Sequence, residues 1–182
     1  ATSGRMLFSG VTSFSGTTTL SNDFYPNAGT INFTPGYAFA GPGVVHLLAN
    51  RSTTFTGTPT LTKLILESNT SVASDPDVTI TTLLDWQGGG FNGNGKLILP
   101  AGAVANLTSP DLKSLDRTLE LSGTINYSGS QLRLSYFSAA GVVNILAGGA
   151  FNIVGDNDIS APGTINLSTG GTLAKNAGAK LA

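Results

Sequence analysis

Gly123-Thr124-Ile125-Asn126-Tyr127-Ser128-Gly129 is the stretch whose reading decides the fold. Its first four residues stand twice more in the chain, at Gly29-Thr30-Ile31-Asn32 and at Gly163-Thr164-Ile165-Asn166. Each copy is a glycine, a β-branched pair and a turn-former, the pattern of a short strand entered through a tight corner. A second motif behaves alike. Gly43-Val44-Val45-His46-Leu47-Leu48-Ala49 is matched by Gly141-Val142-Val143-Asn144-Ile145-Leu146-Ala147, and Gly95-Lys96-Leu97-Ile98-Leu99-Pro100-Ala101-Gly102 is a looser copy. Glycine-started strands recur roughly every 20 residues, and a period of that size argues for a solenoid or array.

Working outward, short apolar or alternating runs fill the chain, each bounded by Gly, Pro, Asn, Asp or Ser. The reading is all-β: a right-handed parallel β-helix, or β-solenoid, of short coils with little or no helix. At about 20 residues per coil the chain makes roughly nine coils and a stack about 40 Å long. Inward ladders are expected from Ile31, Val45, Leu47, Ile65, Ile80, Ile98, Ile125, Ile145 and Ile165. The best helical candidate is 109–119, where Ser109-Pro110 offers a cap and Leu112, Leu115 and Leu119 are spaced for one face; a short helix or turn and an irregular strand both suit it. One β-solenoid domain spans 1–182, with less regular N-terminal coils or a cap over 1–53 and the repeat region over 54–182. The rival architecture is an antiparallel β-sandwich, pilin-like or Ig-like, since many short strands suit it too.

Composition fits stacking. Only 10% of residues are charged, with 24 glycines, no cysteine and a net charge of −1. Like charges repeated on adjacent coils would repel at about 4.8 Å. The same scarcity narrows the partners. Nine scattered Lys and Arg give no electrostatic footprint for nucleic acid, and no apolar run is long enough to span a membrane as a helix. Without cysteine there is neither a disulfide nor a thiolate metal site, and no cofactor is expected. The chain opens on Ala1, as a processed mature protein or an excised segment would. Abundant Gly, Thr, Ser and Asn with sparse Lys and Glu points to an extracellular or cell-surface location.

From about Thr54 onward the order of motifs resembles a repeat module of large secreted bacterial surface proteins, the filamentous-haemagglutinin-type or adhesin-like parallel β-helices. Residues 84–97 (LDWQGGGFNGNGKL) are similar to that family's Leu-x-Trp-x-Gly-Gly-x-x-x-Gly-x-Gly strand-turn-strand, and Pro100-Ala101-Gly102-Ala103 to its turn. Lys113-Ser114-Leu115-Asp116-Arg117-Thr118-Leu119 before the Gly123 motif, and Ala150-Phe151-Asn152-Ile153-Val154-Gly155-Asp156-Asn157-Asp158 before the Gly163 motif, extend the likeness to about 70% of the chain. The resemblance implies a β-solenoid in an extracellular protein and carries no catalytic residues.

Candidate sites are few. Asp75 with Asp77, and Asp156 with Asp158, are i, i+2 carboxylate pairs that share a face in a strand and are weak Ca²⁺ candidates; as turn residues they also satisfy their own backbone. His46 sits between Val45 and Leu47 and is expected to point outward. Tyr25, Tyr37 and Phe39 lie in Pro/Gly-rich turns, where exposed rings contact a ligand or partner and buried ones fill the core; Trp86 reads as core. Sequons stand at Asn32, Asn50, Asn69, Asn106, Asn126 and Asn166, half of them inside the repeated tetrapeptide. The expected function is a non-enzymatic structural or adhesive module of an extracellular bacterial surface or fibre protein, self-assembling end to end through uncapped strands. Its partners are then further copies or adjacent repeats of a longer chain. The alternatives are a carbohydrate-binding module that uses the N-terminal aromatics on surface glycans, and a polysaccharide-degrading β-helix enzyme.

Overall fold

A computed structural model describes residues 6–136, 139–155, 158–160 and 162–176. Every described strand pairing is parallel. The chain is therefore an all-β solenoid of about 8 turns, and the antiparallel sandwich is excluded.

Three strand segments make each turn, and they stack into three faces. The first face holds the starts of β1 (Met6–Phe14) and β3 (Phe24–Phe33), then β5 (Val45–Leu47), the ends of β7 (Thr60–Leu66) and β9 (Val78–Trp86), β11 (Val104–Leu107), β13 (Thr124–Tyr127), β16 (Ala150–Ile153) and β19 (Thr172–Lys175). The second holds the ends of β1 and β3, then β6 (Ser52–Thr56), β8 (Ser71–Ser74), the starts of β10 (Gly89–Leu99) and β12 (Lys113–Leu121), β14 (Leu132–Arg133) and β17 (Ile159–Ser160). The third runs from β2 (Thr17–Thr19) and β4 (Ala38–Ala40) through the other halves of β7, β9, β10 and β12 to β15 (Val142–Ile145) and β18 (Thr164–Leu167). Long strands turn a corner by shifting register, between Leu61 and Lys63 and between Asn92 and Lys96.

The interior is a set of apolar ladders. On the first face Phe24, Val45, Leu64, Leu84, Ala105, Ile125, Phe151 and Leu173 follow one another in register, and all but Leu173 are buried. On the third, Leu99, Leu121, Ile145 and Leu167 do the same. The three repeated tetrapeptides thus mark rungs: Ile125 and Ile31 are buried, while Ile165 is partly covered near the end of the stack. The glycines that open these motifs have a reason beyond backbone freedom. A Cβ on Gly123 would stand 2.3 Å from the Ala103 carbonyl oxygen, and one on Gly29 would stand 2.2 Å from that of Gly10. Adjacent coils touch there backbone to backbone.

One expectation is corrected. Ile65 and Ile98 face outward, and their neighbours Leu64, Leu66, Leu97 and Leu99 fill the core instead. Of the readings open for 109–119, the strand holds: residues 109–111 bend, and β12 begins at Lys113. Leu115, Leu119 and Leu121 point inward from a strand that bends at a corner, which imitates helical spacing. In the N-terminal region Gly29–Asn32 pair with Thr53–Thr56, and β1 shifts register against β3 between Phe8 and Gly10.

Truncating a ladder residue opens a cavity that stacked coils cannot close. Leu121→Ala is expected to lower stability by about 2–5 kcal/mol. Thr79→Ala, at an outward position of the third face, is expected to stay within about 0.5 kcal/mol. Paired chemical denaturation curves check both.

Candidate functional site

The N-terminal aromatics resolve into core and surface. Tyr37 and Phe39 are 0% and 3% exposed, inside a cluster with Phe14, Phe24, Phe33 and Phe55 whose ring centroids lie 5.1 to 6.1 Å apart. Neither ring presents itself to a ligand. Burial pushes the Tyr37 phenol above its ordinary value, and the Thr18 side chain pulls it partly back. Trp86 is likewise interior, edge-on to Phe91 at 5.0 Å, and its indole N–H donates to the Gly89 carbonyl at 3.3 Å.

Tyr25 alone of the three reaches the surface. Its ring stacks on His46 at 4.5 Å, with the planes 18° apart. Asp23 ties the group together: Oδ2 lies 3.1 Å from His46 Nε2 and accepts from the Tyr25 hydroxyl at 3.5 Å, while Oδ1 accepts from the Val44 N–H at 3.1 Å. His46 points outward between buried Val45 and Leu47. Among the described residues no group of three or more His, Cys, Asp or Glu is placed to hold a metal ion.

The Asp75-Pro76-Asp77 turn meets a cation that the chain supplies itself. Arg117 is buried, and its guanidinium donates to four backbone carbonyls: Gly95 at 2.7 Å, Lys96 at 3.0 Å, Pro76 at 3.1 Å and Asn92 at 3.3 Å. It thereby bridges three successive coils at one corner. Burial lowers its pKa to about 10, opposed by the charges of Asp77 and Asp75. The carboxylates also serve the next coil. Asp75 Oδ1 accepts from the Asn94 backbone N–H and side-chain amide at 3.2 and 3.0 Å, and Asp77 Oδ1 accepts from the Lys96 N–H at 2.7 Å. Of the second pair, Asp156 lies outside the described residues; the Asp158 carbonyl accepts from Leu132 N–H and the Tyr127 hydroxyl.

Sequence reasoning missed the buried polar strand. Residues Lys113 to Arg117 are all buried. The Lys113 ammonium donates to the Ser109 and Asp111 carbonyls at 2.8 and 2.7 Å, and burial lowers its pKa against the pull of Asp111 and Asp85. Asp116 Oδ1 accepts from the Tyr136 N–H at 2.5 Å. The available signal was compositional: three ionisable residues within five positions of a chain that has so few.

The sequon asparagines are mostly rungs of amide ladders. Asn126 donates to Asn106 at 3.2 Å and accepts from Asn152 at 3.3 Å, and Asn166 donates to Asn144 at 2.8 Å. Asn32 donates to Ser13 and accepts from Thr56. Asn50 and Asn69 are exposed corner residues in the left-handed region, at φ 58° and 55°.

A groove of about 160 Å³ crosses the second face between the fourth and sixth turns. Gly89 and Gly90 form its floor, Asn69 and Ser71 one wall, Leu112 and Ser114 the other, and the half-exposed ring of Tyr136 overhangs it.

Two interior groups give measurable predictions. Arg117→Met leaves buried carbonyls without a donor at a three-coil corner and is expected to cost at least about 2 kcal/mol by thermal unfolding. Tyr127 is buried and donates to the Ser130 and Asp158 carbonyls at 2.5 and 2.7 Å, and burial pushes its phenol up to about 12. The folded chain holds this proton to higher pH than the unfolded chain does. Its contribution is therefore complete below pH about 10 and is lost as pH rises to about 12, a change of about 2–3 kcal/mol. Arg117, lowered in the fold, acts in the opposite sense over the same range. The difference between Tyr127→Phe and the parent isolates the tyrosine: in denaturation midpoints the parent's stability relative to the variant is expected to fall by that amount between pH about 10 and about 12.

No protein-family model matches this chain, and neither a curated protein nor a solved structure does.

Proposed function

We propose that the chain is a non-enzymatic structural module of an extracellular bacterial surface or fibre protein, and that it extends by stacking end to end on further copies of itself. One observation carries this reading. Leu167 continues the ladder of Leu99, Leu121 and Ile145, which are fully buried, yet Leu167 is 55% exposed. Its rung has the side chain of an interior turn, and among the described residues no turn stands above it.

The backbone agrees with the side chain. Among the described residues β17, β18 and β19 pair with one neighbour each, as do β1 and β2 at the other end. Both ends present parallel strand edges arranged on the same three faces. A second copy supplies all three edges at once, and a head-to-tail contact of that kind generates an open filament rather than a closed ring. The extracellular assignment rests on the low-charge Gly, Thr, Ser and Asn composition and on the motif likeness to secreted surface repeats.

The test is assembly against concentration. The parent chain is expected to form unbranched filaments of uniform width by negative-stain microscopy and rising light scattering. Leu167→Lys is expected to remain a monomer with an unchanged far-ultraviolet spectrum. A parent that stays monomeric at every concentration overturns the reading.

A further inference from the structure

On the second face Ser71, Gly90 and Ser114 stand in register, and Ser114, itself buried, lays its hydroxyl over the backbone of Gly90. The fifth turn carries no side chain from Gly88 to Gly90, the fourth and sixth turns close in over it, and a shallow notch remains beside Asn69, Ser71 and Leu112. The notch has a fixed roof. The Tyr136 backbone is tied to Asp116, and its ring lies 5.3 Å from the Arg133 guanidinium, which also donates to Gln131 at 2.9 Å. The ring itself is 50% exposed.

We infer that this notch is a binding site for one residue of a neutral saccharide. The side chains lining it are uncharged: an amide at Asn69, a hydroxyl at Ser71, an aliphatic wall at Leu112 and an aromatic face at Tyr136, with the buried Thr70 and Ser114 beneath them. A sugar ring offers a C–H face that packs on an aromatic and a rim of hydroxyls that bond to amides and alcohols. The volume holds a single pyranose. An extended peptide is a poorer match, because strand addition needs an open edge and β10 is paired here on both sides, with β8 and β12. An anion is poorer too, because none of the described lining residues is cationic and Arg133, beside Tyr136, is engaged by Gln131 and that ring. The site is independent of end-to-end assembly, since it lies in the middle of the stack, and it is separate from the Tyr25 surface.

The experiment titrates the full chain, followed by protein NMR shifts, with cellotriose, maltotriose, diacetylchitobiose and a sialylated trisaccharide. At least one neutral sugar is expected to bind, with an affinity unaffected by salt. Tyr136→Ala is expected to weaken it about ten-fold, and Ser71→Tyr, which fills the notch, to abolish it. Tyr25→Ala is expected to bind as the parent does, and thermal melting confirms that each variant is folded. The inference is overturned if no member of the panel binds, if binding survives both notch variants, or if the sialylated sugar binds best and weakens with salt. Leu167→Lys, kept monomeric, gives the same titration, so failure of the notch and failure of assembly are read separately.

Discussion

Everything in this molecule follows from one constraint: each residue of a rung is hydrogen-bonded in register to the rungs before and after it. A strand in an ordinary sheet has two different neighbours, but here the neighbours occupy equivalent positions of the same coil. An inward side chain therefore meets its own kind about 4.8 Å away, and so does an outward one. Apolar ladders such as Phe24 to Leu173 satisfy the first condition, and amide ladders such as Asn106, Asn126 and Asn152 satisfy the second. Charge satisfies neither, which is why it is rare. Lys96 and Glu120 show the tolerated form, an exposed pair of opposite sign on adjacent coils at 2.7 Å.

The corner around Arg117 is the exception that the constraint permits. Where three coils turn together, carbonyls that leave the ladder converge, and a planar cation with several donors answers them at once. Asp75 and Asp77 then sit within electrostatic reach of a charge that would otherwise be costly to bury. The two carboxylates and the arginine are about 40 residues apart in sequence, and only the stacking makes them a unit.

This separation also marks how far the sequence could be read. The repeated Gly-Thr-Ile-Asn gave the rungs because identical environments select identical residues, and the architecture was legible from it. Side-chain direction was less so. At Ile65 and Ile98 the run is apolar on both sides, so alternation has no phase, and the corner near Leu61–Lys63 resets it by one residue. A similar bend in β12 turned strand leucines into apparent helix spacing. Tyr37 and Phe39 read either as ligand contacts or as core because prolines and glycines surround them, and the structure buries both rings. Tyr136 gave no signal, since a lone tyrosine in an irregular segment has no pattern to belong to.

Successive turns of the first face are 18 to 26 residues apart, and the longest interval, from Ile125 to Phe151, contains the excursion that carries Tyr136. The extra length leaves the ladder register intact, because it is inserted where one face gives way to the next. Rung register and corner length are thus written in separate parts of each repeat. Substitution or lengthening of a corner can change what the surface meets while the rungs go on selecting the same glycines and isoleucines. A lineage built on such coils can diversify its contacts rapidly and still inherit one unaltered scaffold.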